Sequence, residues 1–208
     1  SQMGWIRAMK GHIDLSTEQK FKDGDAARFA FHAETTDKLL VFASTGRFYT
    51  IQAVNLPGGR GMGEPLRLMV DLPNEAQILD ILVHQAGRKL LVASSAGDGF
   101  IVPEEDVVAQ TRSGKQVLNL ADNVTALVCR PIAGDHVACV GETRKVLVFP
   151  LDELPEMGRG KGVRLMKFKD GGLSDATTFT GTDLVAGNVT FLHDGSETTT
   201  ASFKVSVE

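Results

Sequence analysis

The sequence predicts an all-β protein whose four-stranded sheets are blades arranged around a ring. Three observations predict it. A unit of about 50 residues recurs along the chain, each copy opens with a strand, a tight polar turn and a second strand, and no segment shows the apolar spacing of a long amphipathic helix. One such unit cannot cover both faces of its own sheet, so the units must pack face to face.

The hairpins come first. Lys38-Leu39-Leu40-Val41-Phe42-Ala43-Ser44-Thr45-Gly46-Arg47-Phe48-Tyr49-Thr50-Ile51 recurs 51 residues later as Lys89-Leu90-Leu91-Val92-Ala93-Ser94-Ser95-Ala96-Gly97-Asp98-Gly99-Phe100-Ile101-Val102. A third copy, His136 to Phe149, follows at an offset of 47. Small polar residues and glycine at the centre of each copy supply the turn. Tyr49 falls in a core strand, with Phe100 and Leu147 as its equivalents.

After each hairpin comes a short polar connection: Gln52 to Leu56, Pro103 to Val107, Pro150 to Leu154. Glu104-Glu105-Asp106 lies there and reads as a solvated linker. A glycine-rich basic loop and an apolar strand follow, as Arg60 to Met69, Thr111 to Leu120 and Gly158 to Met166. A fourth strand closes each unit: Gln77 to Val83, Val124 to Cys129, and less distinctly Ala176 to Phe179. The blades are thus expected at 38–88, 89–135 and 136–178, after a partial blade at 1–37. Met3-Gly4-Trp5-Ile6-Arg7 reads as the turn and second strand of a hairpin whose first strand is expected upstream, in a longer parent protein.

The chain has 208 residues, 42% of them hydrophobic and 23% charged. A chain of this length buries roughly 70% of its extended surface, so a core forms without metal or disulfide support. No apolar run approaches the roughly 20 residues of a membrane span, and the first residues lack the pattern of a signal peptide. Cys129 and Cys139 read as free buried thiols in a reducing compartment. The net charge of −4 argues against nucleic acid on bulk grounds, but the charge is uneven. Residues 112–169 carry 10 Lys/Arg against 6 Asp/Glu, whereas 1–111 carry 11 against 14 and 170–208 carry 1 against 6.

Trp5-Ile6-Arg7-Ala8-Met9-Lys10-Gly11-His12, followed by Lys22-Asp23-Gly24-Asp25, closely resembles the opening of the C-terminal domain of the ParC-type, DNA-cleaving subunit of bacterial DNA topoisomerase IV. Ser44-Thr45-Gly46-Arg47 before Arg60-Gly61-Met62-Gly63-Glu64-Pro65-Leu66 also fits, as does Phe149-Pro150 with Leu154-Pro155 before Lys161-Gly162. Together these segments cover roughly residues 3–175. The resemblance implies a β-pinwheel, a propeller-like ring whose blades exchange strands, here with the first and last blades incomplete. Two departures stand out. The first-blade Gln-Arg-Arg-Gly-Gly-Lys-Gly box of the related gyrase subunit is missing from Ser16 to Gly24, which favours topoisomerase IV and weakens the case for strong chiral wrapping. The tail, 179–208, is similar to the Asp-Leu-x-x-Gly-x-Val-x-Phe-x-His-Asp-Gly-Ser-Glu pattern of cadherin-like proteoglycan-type repeats. It is either a diverged last blade or an unrelated piece.

The family resemblance implies a non-catalytic domain that binds and bends duplex DNA and positions the transported segment for strand passage, decatenation and relaxation. It implies two protein partners, the rest of the DNA-cleaving polypeptide and the second polypeptide of topoisomerase IV. It also implies a bacterial cytoplasmic, nucleoid-associated setting and a part in chromosome segregation. No cofactor is expected in this chain; ATP and Mg²⁺ would serve other domains of the parent. Lysine and arginine neutralise phosphates with release of counterions, and glycine lets the backbone approach them. The expected DNA contacts are Arg7, Lys10, Arg60, Arg112, Lys115, Arg144, Lys145, Arg159, Lys161 and Arg164, on loops that a ring would bring to one rim. The competing reading of these residues is solubility charge. No base-reading helix is apparent, so recognition is expected through shape and backbone. Catalytic motifs are absent, no metal site is expected, the five histidines lie far apart in sequence, and Asp135-His136 reads as a structural pair. Rival readings are a protein-binding propeller and, from the tail, a secreted adhesion fragment in which Asp183 and Asp194 bind Ca²⁺.

Overall fold

Strands such as Leu39-Leu40-Val41-Phe42-Ala43 have no polar face, and a strand apolar on both sides must be covered on both. In the computed structural model, which describes residues 1–59, 61–143, 145–167 and 171–186, that requirement organises the whole chain. Its elements are β1 (Trp5–Ile6), β2 (Lys38–Ala43), β3 (Arg47–Gln52), β4 (Glu64–Pro65), β5 (Ile78–Val83), β6 (Lys89–Ser94), β7 (Asp98–Pro103), α1 (Glu104–Val107), β8 (Lys115–Gln116), β9 (Ala126–Pro131), β10 (His136–Gly141), β11 (Val146–Pro150), β12 (Val163–Arg164), β13 (Leu173–Phe179) and α2 (Gly181–Val185). Among the described residues, the longest helix has five residues.

The two-residue period of a strand divides each hairpin between two cores. Leu40, Phe42 and Phe48 face Leu90, Val92, Phe100 and Val102 of the next sheet. Leu39, Val41, Tyr49 and Ile51 face the other way, onto Leu66 and Ile78 and the half-buried Ile6, Phe29 and Phe31. Leu91, Ala93 and Ile101 continue the stack onto Val137, Cys139 and Leu165. Each large side chain so buried contributes about 1.5–3 kcal/mol of transfer free energy, so the stacking of blades is the main stabilising contact.

The sheets do not coincide with the sequence repeats. Their strand orders are β5-β2-β3-β8, β12-β7-β6-β9 and β11-β10-β13, with a two-stranded β1-β4 pair at the start. Each outer strand is lent backwards by the following repeat: β8 pairs with β3, β12 with β7 and β4 with β1, all antiparallel. The expected blades at 38–88, 89–135 and 136–178 are therefore interlocked, as a β-pinwheel requires. The lent strands are also shorter than the apolar strands read from the sequence. Only two residues pair before the chain turns away, into the 3₁₀ turn Leu66–Leu68 in the first case. Trp5↔Pro65 matches Arg47↔Gln116, so β1 does hold the place of a second hairpin strand.

At the opposite edge β9 lies against both β5 and β13. These closing strands form the inner side of the ring, which leaves the lent strands and their loops outermost. Backbone bonds join neighbouring blades near the turns: Ala126 donates to Ser44 O at 2.8 Å, and Leu173 donates to Ser95 O at 2.9 Å.

Candidate nucleic-acid interface

The basic loops are the loops that deliver the lent strands. Gly63, Gly114 and Gly162 stand immediately before them with φ of +83°, +70° and +82°. A Cβ there would lie 2.2 Å from Ile6 O, 2.6 Å from Phe48 O and 2.2 Å from Gly99 O respectively. These glycines answer a steric demand inside the protein, the close approach of one repeat to the previous one. That demand is by itself enough to require glycine at these positions. Counting back from them, Arg60 and Arg159 are equivalent, while Arg112 sits one residue nearer its glycine. Glu64 occupies the place of Lys115, so the rim is not uniformly basic.

The ten expected contacts divide into three groups, with two of them, Arg60 and Arg144, outside the described residues. Arg7 and Arg112 are engaged in holding loops. Arg7 donates to Gly61 O at 2.6 Å and Lys20 O at 3.0 Å, and Arg112 donates to Leu68 O at 2.7 Å while lying 3.7 Å from Asp71. Lys10, Lys115 and Lys145 are exposed, with no ion-pair partner among the described residues. Arg159 is also exposed, its Nε 3.3 Å from Asn119 Oδ1. Between Arg159 and Lys161, Gly160 is anchored to the neighbouring lent segment: its amide donates to Val117 O and its carbonyl accepts from Asn119. The two cations flanking this anchor, Arg159 and Lys161, are both exposed.

Lys161 and Arg164 share one partner that the sequence reading missed. Asp98 is 5% exposed; one oxygen accepts from Arg164 Nε at 2.8 Å and the other forms an ion pair with Lys161 Nζ at 3.2 Å. The signal was present in the repeat itself: Gly97-Asp98 stands where the two preceding units have Gly46-Arg47 and Gly4-Trp5. Of these, Arg47 also reaches the incoming loop. Arg47 donates to Ser113 O at 2.7 Å, and Trp5 carries Lys22 Nζ 3.4 Å above its ring.

Several side chains read as bland are not. Glu104 is fully buried, so the solvated-linker reading is wrong for it. Its carboxylate takes bonds from Arg88, from the Gln85 amide at 2.8 Å and from His84 Nδ1 at 3.1 Å. The lone acidic side chain beneath a connection is needed because Arg88 and the β5–β6 turn come together there. Glu105 is the solvated one, accepting from the Gly87 amide, which holds its carboxyl below the usual carboxylate range. His12 and His32, distant in sequence, stack with ring centroids 3.8 Å apart. Asp135–His136 is a structural pair at 2.9 Å; hydrogen bonds from His136 and from the Gly181 amide hold the Asp135 carboxyl below its ordinary value. Tyr49 is fully buried, and burial raises its hydroxyl above the ordinary value. Its equivalent Leu147 is 40% exposed, so register does not carry burial with it. Among the described residues, no group of three or more His, Cys, Asp or Glu could hold a metal, and no helix is long and apolar enough to cross a membrane. Asp194 lies outside the described residues, and Asp183 bonds Thr180.

Comparison with known proteins decides the family. Residues 88–127 and 135–173 match the family model described as DNA gyrase C-terminal domain, beta-propeller. The structure of the E. coli ParC C-terminal domain superposes with a TM-score of 0.78 at 33% identity, covering 84% of this chain and 75% of that one. The chain belongs to the family of topoisomerase IV ParC-type C-terminal domains. Within it, the matching subunit of DNA topoisomerase 4 from Caulobacter vibrioides is 50% identical over 179 residues, 86% of this chain and 24% of that protein. The Escherichia coli K12 protein is 36% identical over 170 residues, 80% of this chain and 22% of that protein. The chain thus spans about a quarter of the length of these topoisomerase IV polypeptides.

Proposed function

We propose that this chain is a non-catalytic duplex-DNA-binding domain of a type IIA topoisomerase. It bends the incoming duplex along the outer rim and positions it for ATP-dependent strand passage, decatenation and relaxation in a parent enzyme. The observation that carries the reading is the placement of Lys115, Arg159, Lys161 and Arg164. All are exposed and all lie on lent strands or their loops, which equivalent registers set at equivalent places on the outer edges of successive blades. A row of phosphates is the ligand that such exposed cations fit, Lys115 on one exchange edge and Arg159, Lys161 and Arg164 on the next. Exposed carboxylates of the connections, such as Glu105, Asp152 and Glu153, lie at the other end of the hairpins, away from the turns. They limit nonspecific trapping without opposing the rim.

Bending would come from curvature of the rim, and specificity from DNA deformability rather than from base contacts. The chain works without a cofactor of its own; ATP and Mg²⁺ belong to other parts of the enzyme. Its partners are duplex DNA, the remainder of the DNA-cleaving polypeptide and the second polypeptide of topoisomerase IV. Its setting is the bacterial nucleoid, where decatenation serves chromosome segregation. Binding of a labelled duplex measured against salt tests the reading. About five or six phosphate contacts predict a loss on the order of 1,000-fold between about 50 and 200 mM salt. No binding at low salt, or a slope near zero, overturns it in favour of a protein-binding propeller.

A further inference from the structure

We infer that Asp98 is a positioning residue, holding Lys161 and Arg164 as a two-cation clamp for a single backbone phosphate; the inference rests on the DNA-binding reading above. Asp98 opens β7 and lies directly opposite Arg164 in the β7–β12 ladder. Lys161 comes from the far side of Gly162, whose left-handed backbone turns the loop back toward the same carboxylate. One oxygen of Asp98 takes Arg164 Nε at 2.8 Å and the other takes Lys161 Nζ at 3.2 Å.

The geometry leaves most of the donors free. Arg164 spends Nε and keeps its two terminal nitrogens, with no hydrogen-bond partner for them among the described residues. Lys161 is held to Asp98 as an ion pair, and an ammonium carries three N–H donors. The cations remain 59% and 48% exposed at their side chains, whereas Asp98 is 7% exposed, so the carboxylate lies beneath and the unused donors lie above. Two cations held on one carboxylate are close enough to reach one phosphate, the arginine fork on one free oxygen and the ammonium on the other. The three groups together carry one net positive charge, so attraction to an anion survives. The preceding exchange site lacks the device: Arg47 and Gln116 stand at the places of Asp98 and Arg164, and Arg47 turns to the carbonyls of Ser113 and Gly114.

A double-mutant cycle on the chain, read as affinity for a labelled duplex at moderate salt, tests the clamp. In the parent, Lys161→Ala is expected to weaken binding about tenfold, one phosphate contact's worth. In an Asp98→Asn background, where Lys161 is no longer held, the same change is expected to cost less than about threefold. A penalty that is unchanged or larger in that background overturns the inference, because Asp98 would then be either indifferent to Lys161 or a competitor of the phosphate. A parent that binds no duplex overturns the DNA reading itself, before any variant is made. If circular dichroism shows Asp98→Asn unfolded, the cycle between Lys161→Ala and Arg164→Ala replaces it. Two cations on one phosphate predict a double mutant weaker than the parent by less than the product of the single losses, and a full product overturns the clamp.

Discussion

The amide of Leu165 donates to the carbonyl of Gly97 at 2.8 Å, and Leu66 with Gly4 repeats the bond at 2.9 Å. Val117 and Leu118 both donate to Gly46, at 3.1 and 3.0 Å. Each bond joins the first or second residue after a lent strand to the glycine that ends a hairpin turn one repeat earlier. The join depends on the glycine that precedes the strand. Gly162→Ala would combine a left-handed backbone with a Cβ 2.2 Å from Gly99 O. We expect a loss of about 2 kcal/mol or more, seen as a lower urea midpoint, with Gly58→Ala near neutral as the comparison. Nothing lies within 4 Å of a Cβ at Gly58, and its φ is outside the left-handed range. Equal stability of the two variants would contradict a structural role for the delivery glycine.

Glu104→Ala strips Arg88, His84 and the Gln85 amide of a shared acceptor in a buried place. Breaking such a network costs about 2–4 kcal/mol, whereas Glu105→Ala, at an exposed site, should leave stability close to that of the parent. Thermal or urea unfolding separates the two. Equal effects would mean that burial of Glu104 carries no energetic weight.

Arg159→Ala with Lys161→Ala removes both exposed cations flanking Gly160. Duplex affinity should fall by about 1–3 kcal/mol, alike for different DNA sequences, and the salt slope should drop by about two contacts. Asp152→Ala with Glu153→Ala, exposed on a connection, should leave affinity equal or slightly tighter. Unchanged binding by the Arg159/Lys161 variant would move the DNA path elsewhere, with Lys10 the next position to test.

Cys129 and Cys139 should be unreactive in the folded protein. Burial pushes the Cys139 thiol up to about 12 and raises Cys129 well above its ordinary value. A raised thiol pKa keeps the proton on at neutral pH, so the nucleophilic thiolate is missing. Titration with a thiol reagent at pH 8 should show neither cysteine until urea is added. Stoichiometric labelling of the native chain would contradict this.

The hairpins were legible because each carries its evidence locally: an apolar run, a glycine turn and a second run, repeated. The lent strands were not. Lys115-Gln116 is too short to show a period, and its partner Arg47-Phe48 lies in another repeat, so no local window contains both. The cations of the rim were legible by residue type, but what holds them was not. Carbonyl acceptors leave no mark in a sequence, and Asp98 became meaningful only when β12 was seen across from it. Glu104 misled for a related reason. Three consecutive acidic residues suggest solvent, yet a one-turn helix, α1, sends the first of them inward. Leu147 shows the limit of repeat logic, since its equivalents Tyr49 and Phe100 are fully buried and it is not.

Strand lending also puts the inheritance of this domain out of phase with its architecture. A contiguous stretch that starts at one hairpin and stops before the next contains β4, β8 or β12, which completes the sheet before it, and lacks the strand that would complete its own. Deleting one repeat therefore strips a neighbour as well as removing a sheet, and inserting one succeeds only if the newcomer's borrowed edge and its donated edge both fit. Growth or shrinkage of such a ring has to proceed by whole, mutually compatible repeats, so the number of blades behaves as a counted trait rather than a graded one.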